Sequence, residues 1–339
     1  MRTGYHLRMS EGRTVPVDEA RALAERALES LDLDAEEARV IADHLVDSAL
    51  CGYDYIGLPR ILTIAEDPRT REKRGPLRVV RETKLSLLLD GGNHTGYYAV
   101  HHATGRAIEK ARAAGVAVVG LHNSYLSGRN AYYMEMIANA GLVGIHIASA
   151  LPVVLPHGGM RPALGTNPLA MGFPSRRGPV IFDMGTASMM RSEVIFHSRI
   201  KRDLPEGVAL DAAGHPTRNA DEALRGGILP FGGHKGYGLS FAIQAMCLLA
   251  GAALPRNQVQ DYGFLFVVFD PELLIPADQF RGQVDELIRQ VKATPLRPGH
   301  AEIMIPSERA FRERDRRRRA GIPIAQPVYE KLVAMGRGR

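Results

Sequence analysis

The middle of the chain alternates apolar runs of strand length with runs that favour helix, and this alternation limits the possible folds most. Leu85 to Leu89 predicts a buried strand that breaks at the Gly-rich turn DGGNHTG, and Val116 to Leu121 predicts a second strand. Helices are expected at Tyr97 to Ala114 and Asn130 to Ala140, before a strand at Leu142 to Ala148. Such alternation is typical of helices packed on a sheet, an α/β layer.

The first part of the chain is predicted to be helical. Val17 to Leu31 is rich in helix formers, and a second helix begins after Asp34, with Glu37 in capping-box spacing, and stops at Gly52. Gly52 to Arg60 is then expected to be a loop. Further strands are predicted at Pro179 to Met184, Gly263 to Phe269 and Ala301 to Ile305, and further helices at Gly236 to Ala250, Ala277 to Lys292 and Ser307 to Ala320. We place domain boundaries near residues 115 and 285.

Several classes of protein are excluded by what the sequence lacks. Apolar runs fall short of the roughly 18 residues of a membrane span, and the first residues, MRTGYHLRMSEGR, predict no secretory signal. The two cysteines, Cys51 and Cys247, give no disulfide framework or cysteine-based zinc site and fit a reducing cytoplasm. Neither G-x-G-x-x-G after a strand nor G-x-x-x-x-G-K-[ST] occurs, so a standard Rossmann half or P-loop is not predicted.

The net charge of +6 is concentrated in one stretch, Arg309 to Arg319, where arginines outnumber the acidic residues. Such a run can bind nucleic acid. Because no nucleic-acid motif accompanies it, we favour a solvated helix face and do not expect a nucleic-acid partner.

Three segments have a composition that could carry chemistry. The first is PHGGMRPALGTNPLAMGFP (156–174), which predicts a long loop, either functional or a wide turn. In FGGHKGYGL (231–239), bare amides at a helix start and Lys235 could bind an anion, or the turn could be a flexible start to the helix. In IFDMGTAS (181–188), Asp183 could accept from a ribose hydroxyl or a catalytic group, or cap a helix.

Four histidines lie near these segments and could transfer a proton near neutral pH. They are His122, His146, His157 and His234. A single histidine is more often a surface or packed residue, and the spacing of the four does not resemble a metal site.

Taken in order, HGGMRPALGTNPLAMGFP, PVIFDMGTAS, DAAGHPT and GGHKGYGLSF resemble the type-2 malate/L-lactate dehydrogenase family. That family includes ureidoglycolate, sulfolactate and diketogulonate oxidoreductases and piperideine-2-carboxylate reductases. The similarity extends from about Val17 to Val328.

The resemblance implies a helical N-terminal region and a non-Rossmann nicotinamide-binding domain on a mixed, largely antiparallel sheet, an α/β (α+β) fold. Residues 116–285 would bind NAD or NADP, and residues 1–115 with 286–339 would bind the substrate and form a homodimer. The family's cofactor contacts fall here on Asp183, Met184, Gly185, His234, Lys235, Pro306, Ser307 and Glu308. Its pocket wall falls on Gly165, Thr166, Asn167 and Pro168, to which we add His157 from the same loop.

The chain departs from the family at its proton donor. Family members usually carry D-S-H-G-x-x-R after the second helix, with its histidine as the donor, whereas Asp54 to Arg60 reads DYIGLPR. The serine is Tyr55 and the histidine is Ile56, although Arg60 remains to pair with a substrate carboxylate. A second frequent family histidine falls on Leu126.

Isoleucine has no proton to transfer, so the chain has recruited another donor, changed its substrate or lost catalysis. Tyr55 and Tyr125 flank the lost positions, and either phenol could donate. Hydride addition to a ketone leaves an alkoxide that needs a proton, whereas addition to a protonated imine leaves a neutral amine. The leading hypothesis is an NAD(P)-dependent oxidoreductase acting on a 2-oxo/2-hydroxy acid. The alternatives are a reductase of a cyclic 2-imino acid and a catalytically dead relative that binds the cofactor. We expect the partner to be a small carboxylate substrate. We expect neither a metal ion nor a membrane as a partner, and we expect a location in the cytoplasm.

Overall fold

The computed structural model describes residues 12–251 and 262–337. The helices are α1 (Val17–Glu29), α2 (Ala35–Leu50), α3 (Arg60–Glu66), α4 (Gly96–Ala114), α5 (Asn130–Asn139), α6 (Arg191–Arg199), α7 (Ala220–Arg225), α8 (His234–Cys247), α9 (Ala277–Lys292), α10 (Glu308–Ala320) and α11 (Gln326–Arg337). The strands are β1 (Gly12–Val15), β2 (Arg78–Glu82), β3 (Ser86–Thr95), β4 (Val116–Tyr125), β5 (Val143–Ala148), β6 (Leu169–Phe173), β7 (Val180–Met184), β8 (Ala209–Leu210), β9 (Gly227–Ile228), β10 (Phe264–Phe269) and β11 (Ile322–Ala325).

The chain divides into two compact units. Unit 1 comprises the chain up to Arg71 together with the chain from Ala310, and unit 2 comprises Glu72–Arg309. These limits differ from the sequence boundaries near 115 and 285 because β2, β3 and α4 pack with β4 and not with the first helices. The roles assigned to the two predicted domains stay predictions.

Unit 1 is mainly helical. Helix α1 packs on α2, α3 and α11, and the short strands β1 and β11 pair antiparallel. The predicted capping position is confirmed, since the Asp34 carboxylate accepts from the backbone N–H of Glu37 at 2.7 Å. Leu28, Ile41 and Leu45 are fully buried and form part of the apolar interior.

Unit 2 is built on a seven-stranded sheet in the order β2-β3-β4-β10-β5-β6-β7. Only the β3–β4 pair in this sheet is parallel, so the predicted mixed, largely antiparallel sheet is confirmed. Side chains alternate between its faces. On β10, Phe266 stacks on His146 of β5, whereas Leu265 belongs to a cluster with Ile243 of α8.

Three local predictions were wrong. Strand β3 does not stop at the Gly-rich turn but continues to Thr95, and its register on β4 shifts between Asp90 and His94, where Gly92 has φ +60°. Strand β6 lies inside the segment expected to be one long loop, because it pairs with β5 and β7. Residues 301–305 form no strand, since no neighbouring strand pairs with them in the described structure.

Within the described ranges, none of the helices has both the length and the apolar character needed to cross a membrane.

Candidate active site

Asp183 lies near the end of β7, and its carboxylate reaches the start of another helix. Its Oδ2 accepts from the backbone N–H of Ala131 in the first turn of α5, at 2.8 Å. The residue is exposed, yet dense protein around the carboxyl desolvates it and raises its pKa, although N–H groups of α5 and the charge of Arg129 oppose this shift. Asp183 thus caps α5 through a desolvated carboxylate, while the residue as a whole is exposed near the end of β7.

The loop Gly165–Pro168 is buried and holds the surrounding elements together. The Thr166 carbonyl accepts from the Thr186 N–H at 2.8 Å, which ties this loop to the residues after Asp183. Asn167 is fully buried and donates through Nδ2 to Gln244 Oε1 of α8 at 3.1 Å. A Cβ on Gly165 would lie 2.5 Å from the Ala150 carbonyl oxygen. These residues position their neighbours, and their predicted role as a pocket wall stays a prediction.

The predicted cofactor residues near residue 307 meet β7. Ser307, with φ +63°, donates through Oγ to the Ile181 carbonyl at 2.8 Å, two residues before Asp183. The Glu308 carboxylate binds Lys292 Nζ at 2.6 Å, and Pro306 is exposed. Met184 is half-buried at the end of the same strand. The structure therefore brings together two groups of predicted cofactor residues that are more than a hundred positions apart.

Gly185 follows Met184 and has no room for a side chain. A Cβ there would lie 2.5 Å from Met190 Sδ and 3.3 Å from the Thr166 carbonyl oxygen. This turn after β7 is therefore closely packed beside Asp183.

Unit 2 contains a cavity of about 680 Å³ between Gly-rich loops. Its lining residues are Pro156, His157, Gly158, Gly159, Met160, Ser188, Gly207, Leu210, Ala213, Gly214, Leu229, Pro230, Gly232 and Gly233. Gly232 and Gly233 have φ of +58° and +61°, a backbone that L side chains rarely adopt. His234 and Lys235 begin α8 directly after them and are exposed, and the ring of His157 lies 6.1 Å from that of His234. The site thus combines a helix start, an exposed ammonium and two imidazoles.

In unit 1, Tyr55 and Ile56 lie on a short 3₁₀ helix, Asp54–Ile56, where the sequence predicted a loop. Both are half-buried, and Arg60 is the first residue of α3, with 8% of its surface exposed. Asp54 is bound by Arg317 at 2.5 Å. A 3₁₀ turn held by an ion pair presents these side chains more rigidly than a free loop would.

Two other candidate proton donors are interior residues. Tyr125 ends β4 and is 1% exposed, followed by Leu126 at φ +61°. His146 is fully buried, and desolvation lowers its pKa to about 3 despite a hydrogen bond to the Leu265 carbonyl. His146 is therefore a packed, neutral residue at physiological pH, whereas His122 is half-buried on β4.

Sequence reasoning missed Glu193 in the first turn of α6. Burial desolvates its carboxyl and raises its pKa to about 7, so the group is partly protonated at neutral pH. A lone glutamate in a first helical turn ordinarily indicates only a favourable interaction with the helix dipole. The sequence held no signal for its burial, which arises from the packing of α6.

The arginine-rich run forms most of α10, and much of its charge is neutralised within unit 1. Arg316 and Arg317 bind Glu313, and Arg314 binds Asp47 of α2 at 3.0 Å. Glu313 and Arg317 are buried, so the expected solvated helix face is wrong for this side of α10. In the parts of the chain that the structure describes, no group of three or more His, Cys, Asp or Glu residues could hold a metal ion.

Known proteins resemble this chain in both sequence and fold. The family model described as malate/L-lactate dehydrogenase matches residues 15–333. L-sulfolactate dehydrogenase of Methanothermobacter thermautotrophicus is 35% identical over 337 residues, covering 96% of this chain and 96% of that protein. A dehydrogenase from Sinorhizobium meliloti superposes with a TM-score of 0.89 at 27% identity, over 97% of this chain and 99% of that one. Δ1-Piperideine-2-carboxylate reductase from Pseudomonas syringae superposes with a TM-score of 0.82 at 29% identity, over 95% and 99% of the two chains.

Proposed function

Since this chain belongs to the malate/L-lactate dehydrogenase family, we propose that it reduces or forms a small 2-oxo acid by hydride transfer at the carbon next to the carboxylate. It is a dehydrogenase that uses a nicotinamide cofactor. The observation that carries the proposal is the hydrogen bond from Ser307 to Ile181, which joins the two family segments expected to contact the cofactor.

The residues of unit 2 fit a nicotinamide dinucleotide, which supplies the hydride when bound. Asp183 has one oxygen fixed by α5, and its carboxylate would accept hydrogen bonds from ribose hydroxyls. Gly232 and Gly233 lead directly into the start of α8, where the helix dipole favours an anion, and Lys235 adds a positive charge, so a phosphate can bind there. His157 beside His234 supplies further donors at the adjoining cavity.

On the substrate side, Arg60 would bind the carboxylate and Tyr55 Oη would deliver the proton to the substrate oxygen. The half-buried position of Tyr55 favours it over Tyr125, which is 1% exposed. An arginine fork suits a carboxylate because it donates two parallel hydrogen bonds.

A second candidate function is reduction of a cyclic 2-imino acid. Ile56 and Leu126 stand where the family usually has histidines, and one solved neighbour is named a Δ1-piperideine-2-carboxylate reductase. With a protonated C=N bond the step needs no general acid, so Arg60 alone would orient the substrate.

We further propose that the chain works as a homodimer in the cytoplasm. Helix α8 exposes Phe241 at 60% and continues into Leu249 at 71%, and α9 is a 16-residue helix without a buried residue. Apolar surface of this extent is typical of subunit interfaces. Both cysteines are free thiols, which suits a reducing compartment.

The experiment is to follow NADH and NADPH oxidation with pyruvate, oxaloacetate, 3-sulfopyruvate and Δ1-piperideine-2-carboxylate at several pH values. Turnover of an oxo acid supports the main proposal, and turnover of the imine with the oxo acids inert supports the second. The preferred nucleotide is the one with the higher kcat/KM. Tight cofactor binding with no turnover of any of the four would contradict both.

A further inference from the structure

Arg317 of α10 reaches the segment that carries Tyr55 and Arg60. Its Nη1 donates to Asp54 Oδ1 at 2.5 Å and to the Ala49 carbonyl near the end of α2 at 2.7 Å. Its Nε donates to Glu313 Oε1 at 2.5 Å on its own helix. One guanidinium therefore joins α10, the end of α2 and the 3₁₀ turn.

The charges of this group are balanced and poorly solvated. The Arg317 side chain is 6% exposed, that of Asp54 is 12% and that of Glu313 is 10%. Hydrogen bonds from Arg316 and Arg317 hold the pKa of Glu313 at about 2. Glu313 also accepts from Arg316, and Nη1 of Arg317 donates to Ala49 and Asp54.

The other end of the same turn is fixed by close packing. A Cβ on Gly57 would lie 2.8 Å from the Cβ of Ala49, so only glycine lets the chain approach α2 this closely. Ala49 thus meets Arg317 through its carbonyl and Gly57 through its side chain. Tyr55 and Ile56 lie between the two attachments, and Arg60 follows, with its N–H bound to the Gly57 carbonyl at 3.0 Å.

We propose that Arg317 is a positioning residue for the reaction: through Asp54 it fixes the turn that presents Tyr55 and leads into Arg60. This inference rests on the proposed roles of those two residues. Arg317 contacts neither the substrate nor the cofactor in this scheme. Its effect on rate arises because small displacements of reacting groups slow catalysis by up to about a hundredfold.

The chain offers a matched control on the same helix. Arg314 lies one turn before Arg317, is 13% exposed, and binds Asp47 at 3.0 Å and Cys51 Sγ at 3.3 Å. It therefore ties α10 to α2 through Asp47 and to Cys51, the residue after α2. Arg314→Met removes the partly buried ion pair with Asp47. Arg317→Met removes those with Glu313 and Asp54, and it alone of the two releases Asp54.

The test compares these variants with Asp54→Asn/Arg317→Met and with Arg317→Lys. We expect Arg317→Met to lower kcat by about 10- to 100-fold, with the cofactor Kd within about twofold of wild type, and Arg314→Met to keep kcat within about threefold. In the double variant, removal of the unpaired carboxylate should restore the melting temperature but not kcat, and Arg317→Lys should recover part of kcat. Equal kcat in the Arg317→Met and Arg314→Met variants would overturn the proposal.

A second readout does not require turnover. Hydrogen exchange measured by mass spectrometry should accelerate in peptides covering residues 53–61 in Arg317→Met and remain at the wild-type rate there in Arg314→Met. Uniform acceleration throughout unit 1 in both variants would mean that Arg317 has a purely structural role. If the wild type turns over none of the tested acids, the proposed function fails, and the exchange measurement still decides whether Arg317 holds the turn.

Discussion

The 3₁₀ turn of unit 1 and the loops around Asp183 in unit 2 are held in different ways. Hydrogen bonds donated by backbone N–H groups fix the unit 2 loops: Thr186 N–H to the Thr166 carbonyl, and Ala131 N–H to the Asp183 carboxylate. A side-chain charge, Arg317 to Asp54, together with the Gly57 packing, fixes the turn in unit 1. The unit 2 residues match the family motif, whereas Tyr55 and Ile56 in unit 1 depart from it. A side chain can change at the turn while its attachments stay, which is consistent with our proposal that Tyr55 takes the place of the usual donor.

The largest effect is expected at Arg60, which follows the turn of unit 1 and still matches the family pattern. Arg60→Met should lower kcat/KM for a 2-oxo acid by roughly 1000-fold, because a carboxylate loses its charged partner. The cofactor Kd, measured by NAD(P)H fluorescence, should not change. Arg69→Met removes another buried arginine of unit 1 and serves as the control. Equal losses in both variants would show that only folding is affected.

Substitution of Glu193 tests whether a carboxyl group of unit 2 supplies the proton. Its native pKa of about 7 lies above the ordinary 4.5, so its contribution to folding is complete below pH 4.5 and is lost as pH rises through 7. Relative to wild type, Glu193→Gln should gain roughly 3 kcal/mol of unfolding free energy between pH 4.5 and 8. Urea unfolding at several pH values measures this slope.

The matched variant is Glu222→Gln, which replaces a half-buried glutamate in the first turn of α7. Oxo-acid turnover by Glu193→Gln separates the two regions further. Retained kcat leaves the donor in unit 1, whereas loss of kcat assigns the proton to Glu193.

The sequence predicted what local patterns determine. Runs that favour helix located α1, α4, α5 and α9, a cap located α2, and continuous apolar runs located β4, β5 and β10. Prediction from sequence failed where contacts with other elements determine the structure. Strand β6 forms by pairing with β5 and β7, and α6 and α7 pack together around a separate apolar cluster. At the site, motif residues were found by resemblance. Other features of the site depend on partners distant in sequence, which local patterns do not reveal. They are the capping of α5 by Asp183, the burial of Glu193 and the ion pair of Arg317 with Asp54.

Tyr55 stands where the chain departs from the family pattern, so its substitution tests whether the turn of unit 1 supplies the proton. Tyr55→Phe should lower oxo-acid reduction by about 100-fold, the usual contribution of a general acid, while Tyr125→Phe should have little effect on kcat because that ring is interior. Imine reduction should be insensitive to both. Ile56→His should raise oxo-acid turnover and introduce a titration near pH 6.5 into its pH profile. Full activity of Tyr55→Phe toward an oxo acid would remove the phenol from the mechanism.

The smallest effect is expected at Asp183, where we propose that the unit 2 loops bind the cofactor. Asp183→Asn keeps an oxygen to accept from Ala131 N–H but loses the charge, so we expect the cofactor Kd to rise about tenfold. Asp270→Asn is the counterpart, because Asp270 also caps a helical turn in unit 2, accepting from the Glu272 N–H at 3.0 Å. If Asp183 acts only as the cap of α5, both variants should show the same small loss of stability and an unchanged Kd. A raised Kd in Asp183→Asn alone means that the carboxylate binds the cofactor while it caps the helix, and that the backbone contacts of these loops serve to aim it.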